Sequence, residues 1–410
     1  SPSLLLATGV AVSGKMALNT VYLVTSLKDA QDTLGITAAY DTANACVLHE
    51  HISEFYRMTG DGTKLWLMVV TVAAASPAAL LEDTGALYAK KLIIAANGEA
   101  RQLGFAFNVA ADYTETQTDG LNTQIRAAIS KAQFLADWSF ANDMGVHIFL
   151  EGRGITATLS GMGDLRALSE SGTAWLAPQV SVVIGQDYDY AETRATTLLK
   201  KHAAIGTALG SLSAAEMNQS IAEVASFNLS NAKRGKFITG GLSNHTKIAD
   251  ITADLQALED KSYIFPLSYA LLQQISVSGL RWNNDHCCVP IVIDVDGNYN
   301  EHMIYHSRTL NMAARTVKTV LLLRLKSRVG VDGVTGKLGA AVVKNLEAEC
   351  DAALDTMEGS GFIVEGKTLL NRNSDLITPP KTLLVSFKIV AYGILDNVSG
   401  TINLVKFITI

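Results

Sequence analysis

Short segments that are apolar at every position, not at alternate ones, recur along this chain and alternate with helical stretches. Leu65–Val72, Val146–Leu150 and Val180–Ile184 are of this kind. A strand that is apolar on both faces must be covered on both, the condition met by a sheet lying between helix layers. The pattern predicts an α/β fold of mixed sheets flanked by helices. At 410 residues, more than one domain is expected. Further strands are expected at Leu4–Val12, Thr20–Val24, Lys91–Ala96 and Leu103–Val109. Helices are expected at Ala43–Met58, Pro77–Ala89, Leu121–Trp138 and Tyr190–Leu209, and Ser211–Leu271 reads as mostly helical. Ser26 with Asp29 has the form of a capping box and starts a short helix that stops at Gly35. Beyond a soft boundary near residue 276 the pattern changes. Val289–Val295 and Tyr299–Tyr305 flank the hairpin signal Asp296-Gly297-Asn298, and helices follow over Ser307–Leu325 and Lys337–Glu358.

The end of the chain sets a second constraint. Lys381–Tyr392 reads as a strand, and Thr401–Ile410 reads as another with no polar tail after it. A free apolar strand edge invites pairing with other chains. Such a terminus is expected to pair inside its own subunit or, by design, on a neighbour's sheet.

Composition narrows the function classes. Hydrophobic residues make up 48% and charged residues 18%, yet no apolar run is long enough for a transmembrane helix. No basic segment precedes an apolar run at the start, so no secretory signal and no membrane insertion are expected. The net charge is −6, which gives no footprint for nucleic acid. Cys46, Cys287, Cys288 and Cys350 fall at no framework spacing, and they read as reduced, buried thiols.

Motifs that tempt a chemical reading fail on spacing. His49 and His51 in His-Glu-His would point about 200° apart on a helix and cannot share an ion; they read as surface residues. Asp285-His286-Cys287-Cys288 lacks a second ligand pair. Gly152-Arg-Gly154-Ile-Thr-Ala157 follows a strand and matches the loose dinucleotide fingerprint. No clear helix follows it, though, and no acidic residue stands about 20 positions on. Gly333–Lys337 lacks the phosphate-loop gap and its Ser/Thr. Ser243 sits where His245 spoils a nucleophile elbow, and Ser243 or Asn244 reads as a helix cap. No catalytic, cofactor or metal site is expected. The alternative is an α/β enzyme holding a dinucleotide at Gly152–Ala157.

Two charged helices carry more. In Lys337–Glu358 the apolar stripe is Leu338, Val342, Leu346, Cys350, Leu354 and Met357, and Lys344, Glu347, Asp351, Asp355 and Glu358 form a ridge opposite it. The preceding segment carries Arg308, Arg315, Lys318, Arg324, Lys326 and Arg328 with no acid between them. Charge-complementary contact with partner subunits is the functional reading.

These features resemble contractile phage tail sheath proteins, particularly the sheath-like proteins of Bacteroides-type phages and prophages. The resemblance is carried by Val21–Ser26 with Asp29-Ala30 and Leu34-Gly35-Ile36, by Ser278-Gly-Leu-Arg-Trp282, and by Arg308–Arg315. Gly361-Phe-Ile-Val364, Asn371 and Leu383–Ile389 complete it. It implies a structural subunit, not an enzyme, that polymerises as a helix or as stacked hexameric rings around a tail tube protein. Baseplate and tail terminator proteins would be further partners. The particle would be a phage tail assembled in the bacterial host cytoplasm, contracting to drive the tube through a target envelope; the alternative within the same machine is a tail or baseplate component that does not contract. It also implies terminal arms that add strands to neighbouring subunits. These would be an N-terminal arm over residues 1–12 (Leu4, Leu5, Leu6, Val10, Val12) and a C-terminal arm over 401–410 (Ile402, Leu404, Val405, Phe407, Ile408, Ile410). Gly393, Asp396, Asn397 and Gly400 would be the hinge of the second arm. Residues 13–275 would form an outer domain and 276–400 an inner one; the acidic ridge makes the 337–358 helix the expected tube contact, with the neighbouring basic segment as its rival.

Overall fold

The computed structural model describes residues 1–72, 76–170, 172–268, 278–377 and 381–395. They divide into two compact units, Ser1–Thr319 and Val320–Ile410. The division therefore falls beyond the expected position near 276. Residues after 278 belong to the first unit because Trp282, Cys287 and Ile304 lie in its core.

Unit 1 is built on β1 (Ser3–Gly9), β2 (Val21–Val24), β3 (Leu65–Thr71), β4 (Gln102–Ala106), β5 (His147–Glu151) and β6 (Val180–Val183). They form a six-stranded sheet of order β6-β5-β4-β1-β3-β2. All neighbours are parallel except β2, which pairs antiparallel with β3. The α/β class read from the sequence is thus the one adopted.

Alternation along β1 feeds two cores. Leu4 and Leu6 pack on the side of α4 (Pro77–Glu82), α5 (Ala89–Ala96) and α6 (Thr123–Ala141). Leu5 and Ala7 pack on the side of α1 (Leu27–Leu34), α3 (Leu48–Thr59) and α9 (Ile205–Ala214). The backbones of α3 and α9 approach so closely that a side chain at Gly206 would lie 2.1 Å from the carbonyl of His51. Glycine is required there.

Several elements differ from the expectation. The helix expected over Ala43–Met58 is α2 (Ala38–Ala43) and then α3, separated by a break where the Asp41 carboxylate accepts from Leu48, His49 and Glu50 N–H at the start of α3. Lys91–Ala96, read as a strand, is helical (α5). Tyr190–Leu209, read as one helix, is three: α7 (Tyr188–Glu192), α8 (Thr197–Lys200) and α9. The described part of Ser211–Leu271 is mostly turns and short strands, with a single short α-helix after α9, α10 (Leu255–Asp260).

α11 (Ile304–Leu322) runs through the division between units. In unit 2, α12 (Ala340–Gly359) packs on an antiparallel pair, β7 (Glu365–Leu370) and β8 (Val385–Val390). Leu346, Cys350, Leu354 and Met357 form the buried face of α12. Gly366 lets β7 cross close to it, since a side chain there would come within 3.0 Å of Leu354.

Candidate assembly surfaces

Antiparallel pairing leaves alternate backbone groups of each strand pointing away from the partner. On β7 these include Thr368 and Leu370, and both N–H groups are taken by α12. Thr368 N donates to Asp351 Oδ1 at 2.7 Å, and Leu370 N donates to Glu347 Oε1 at 3.1 Å. Lys367 pairs with the other oxygen of Asp351, and Lys344 Nζ lies 3.0 Å from Glu347 Oε2. The Lys344 ammonium and the Leu370 N–H hold Glu347 below the usual carboxylate range. Burial pushes the Asp351 carboxyl up, but Lys367 and the Thr368 N–H outweigh it and leave it low. One edge of the pair is therefore closed by two ionised side chains.

The other edge has no strand paired to it among the described residues. Val385, Phe387 and Ile389 stand opposite Leu370, Thr368 and Gly366 in the register, so their backbone groups also point outward. Among the described residues nothing bonds to those N–H groups. Leu384, Val390 and Tyr392 are exposed around this strand.

The expected acidic ridge is thus split. Glu347 is 6% exposed and Asp351 is half-buried, both engaged by β7. The residues that face solvent are Lys344, Asp355 and Glu358. The reason lies in helix geometry: Glu347 stands four residues after Val343 and next to Leu346, beside the buried stripe and not across from it.

The expected N-terminal arm meets a plain correction. Leu4, Leu5 and Leu6 are fully buried in β1, which is hydrogen-bonded on both sides by β3 and β4. Their continuous apolar run suits a doubly covered central strand and leaves no edge for exchange. Val10 and Val12 follow in a turn where Tyr40 Oη donates to Val10 O at 2.7 Å and Val12 N to Met16 O at 2.9 Å. The C-terminal arm residues Ile402, Leu404, Val405, Phe407, Ile408 and Ile410 lie outside the described residues, as do Asp396, Asn397 and Gly400 of the hinge. Gly393 is exposed, and a side chain there would meet nothing.

The dinucleotide reading of Gly152–Ala157 does not survive the geometry. Gly152 is required by packing, 2.7 Å from Val182 at the position of a Cβ. Gly154 has φ +58, and its Cβ position is occupied by the Glu115 carboxylate. Glu115 is held there by Arg153 at 3.2 Å and Lys201 at 3.3 Å. A carboxylate against the loop repels a pyrophosphate, and only the short 3₁₀ turn Leu159–Gly161 follows. Beside it, Glu151 accepts from Phe107 N and Ala203 N, and burial pushes its carboxyl up to about 7 against the pull of Arg153.

The remaining motifs are structural. His51 is buried, not on the surface, with Gly206 N directed at Nδ1, and burial holds its pKa well below the usual value. Glu50, between the two histidines, pairs with Lys236. His286 contacts Glu259 at 2.7 Å, and all four cysteines are free and buried. No group of three potential metal ligands occurs among the described residues. In the Gly333 loop, Asp332 Oδ1 accepts from Val334 N and Thr335 N, occupying the donors a phosphate would need. Ser243 donates to Gly152 O at 2.5 Å and caps no helix.

The family model described as "DUF2586, N-terminal domain" matches residues 3–275. The chain belongs to the DUF2586 family. Its family match ends within unit 1, which runs on to Thr319. No curated protein matches the chain in sequence. Among solved structures it is similar to the helical sheath of the anti-feeding prophage in its contracted state, at 11% identity and a TM-score of 0.54, over 98% of this chain and 93% of that one. It is similar also to a chain of the six-fold symmetrised baseplate of the same particle, at 11% identity and a TM-score of 0.55, over 98% and 92% of the two chains. This DUF2586 chain therefore has the fold of contractile tail sheath proteins. Both neighbours are parts of a structural assembly.

Proposed function

We propose that the protein is a structural subunit of a contractile sheath that polymerises around a tail tube and shortens to drive that tube through a target envelope. The observation that carries this reading is the fold likeness, which runs over 98% of the chain to a sheath in its contracted state. The edge of β8, to which no strand is paired among the described residues, supports it from within the molecule. A strand from a neighbour could pair with the outward N–H groups of Val385, Phe387 and Ile389. The strand we assign to that role is Thr401–Ile410 of another copy, with Gly393, Asp396, Asn397 and Gly400 as the pivot. Each such contact is heterologous, so the assembly propagates as a helix or as stacked rings. Contraction is then a rigid-body rearrangement between two packings and uses no nucleotide. Lys344, Asp355 and Glu358 are the residues we assign to the tube. Baseplate and terminator proteins would close the two ends of a phage-like tail assembled in the bacterial host cytoplasm.

The test is electron microscopy of negatively stained protein, full length and lacking Thr401–Ile410. Tubes or stacked rings from the full chain only are expected. Monodisperse particles from both would overturn strand exchange. The baseplate likeness favours a second reading, a component that polymerises and never shortens. Tubes of one pitch under all conditions, including mild denaturant, would select it.

A further inference from the structure

The chain carries an acidic stretch and a basic stretch in succession. Between Arg281 and Arg308 it holds Asp285, Asp294, Asp296 and Glu301 with no Lys or Arg, and from Arg308 to Val331 it holds no Asp or Glu. Each stretch exposes aliphatic side chains beside its charges. In unit 1 the hairpin about Asp296–Asn298 leaves Ile293 69% and Val295 102% exposed. The hairpin is fixed at its base, where the Tyr299 ring lies 5.0 Å from that of His306 in α11 and Asn300 Nδ2 donates to Pro290 O at 2.7 Å. Its strands are tied by Asp294 N to Asn298 O and Asn300 N to Val292 O. The backbone of Ile291, Ile293 and Val295 is left facing outward. In unit 2 the turn after α11 leaves Leu323 86% and Leu325 67% exposed. Lys326 and Arg328 are exposed beside them, while Arg324 is held by Glu349.

Contiguous exposed aliphatic surface rimmed by charge marks a contact with another protein, and the opposite charges of these two surfaces match. α11 lies between them in the chain. Every copy of the chain carries both surfaces, so a second copy offers each of them its complement. We propose that the Ile291–Val295 hairpin of one copy docks on the Leu323–Arg328 turn of a second copy. The aliphatic residues form the contact, and Asp296 and Glu301 against Lys326 and Arg328 set its register. The contact is head-to-tail and propagates, and charge at its rim governs partner choice and association rate more than affinity. It rests on the sheath reading only in requiring that copies polymerise.

Single-cysteine variants V295C and L323C test it, since the native cysteines are buried. A mixture of the two, treated with a short thiol crosslinker at concentrations where the chain assembles, is expected to give covalent dimers at least tenfold above either variant alone. K326E/R328E in the L323C chain should lower that yield about tenfold, and D296K/E301K in the V295C partner should restore it. Homotypic V295C dimers, or a V295C/L323C double variant that closes within one chain at high dilution, would overturn the proposal. So would tubes that form normally with no mixed crosslink. Wild-type chain that yields neither tubes nor rings counts against the sheath reading instead. A mixed crosslink formed under those conditions would still support this contact, and its absence would overturn both.

Discussion

Unit 1 and unit 2 solve the problem of a strand edge in different ways. In unit 1 the strand that looks most like a detachable arm, β1, is the centre of the sheet, with a partner on each side and a helix layer over each face. In unit 2 a single helix backs two strands; one edge is closed with carboxylates, while the other has no strand paired to it among the described residues. Closing an edge with side-chain acceptors is a way of rejecting a strand without adding one, so unit 2 is selective about where a partner strand can come, not merely unfinished.

The sharpest way to break this contrast is at β1. Removing residues 1–9 is expected to abolish folding of unit 1, seen as loss of the cooperative melt by circular dichroism. The milder Leu5→Ala should cost about 2–5 kcal/mol, the range for a fully buried leucine, in urea titration. An exchanged arm would behave otherwise: its deletion would leave the monomer's melt intact and remove only polymerisation.

The closed edge of β7 is next in size. Glu347→Gln and Asp351→Asn should each cost unit 2 up to about 1.5–3 kcal/mol, the scale of a hydrogen bond to a charged group. Amide exchange at Leu370 should accelerate in the first variant and at Thr368 in the second. The double variant opens a second strand edge and should aggregate where the wild type forms ordered assemblies. Unchanged exchange at both amides would show that the carboxylates do not hold that edge.

Acid should open the same edge. Both carboxyl groups have folded values below their ordinary ones. Their contribution is therefore full above the unfolded carboxylate range, about pH 4, and is lost as pH falls through the folded values. Protection of Thr368 and Leu370 relative to the rest of β7 should disappear below about pH 4 and should not change between pH 6 and 8. Protection that faded at neutral pH would assign the edge to some other group.

The α/β class was legible because strands covered on both faces are apolar throughout, and Leu65–Val72 and Val180–Ile184 announce that. The first helix was legible from its ends. Ser26 Oγ accepts from Asp29 N at 3.0 Å, and Gly35 takes the left-handed conformation after Leu34. Other elements were not. Leu92, Ile93 and Ala96 are buried with Ile94 exposed, a helical spacing that so short an apolar run cannot distinguish from a strand. Leu4–Leu6 carried the right signal, continuous apolarity, and the expectation of an arm set it aside. On α12 the helical period finds Leu346, Cys350, Leu354 and Met357, but it takes half-buried Val342 in place of buried Val343 and sets Glu347 and Asp351 on the solvent face. What turns them inward is the backbone of β7, a long-range partner that no helical period reveals. Burial of the His51 and Glu50 side chains likewise depends on Gly206 and Lys236, far away in sequence.

The smallest expected effect separates the two roles of acids on α12. Asp355 and Glu358 are exposed, so Asp355→Asn with Glu358→Gln should change the stability of unit 2 by no more than about 0.5 kcal/mol. If these residues meet the tube, the double variant should nevertheless co-sediment less with tube protein from the same particle, and increasingly so at low salt, where screening is weakest. Glu347→Gln reverses that pattern, lowering stability first and tube binding only through it. Equal loss of tube binding in both variants after correction for folded fraction would mean that α12 presents no separate tube surface. The neighbouring basic segment, Lys326 and Arg328 included, would then be the tube contact, and the docking turn would have to share its charges between two partners.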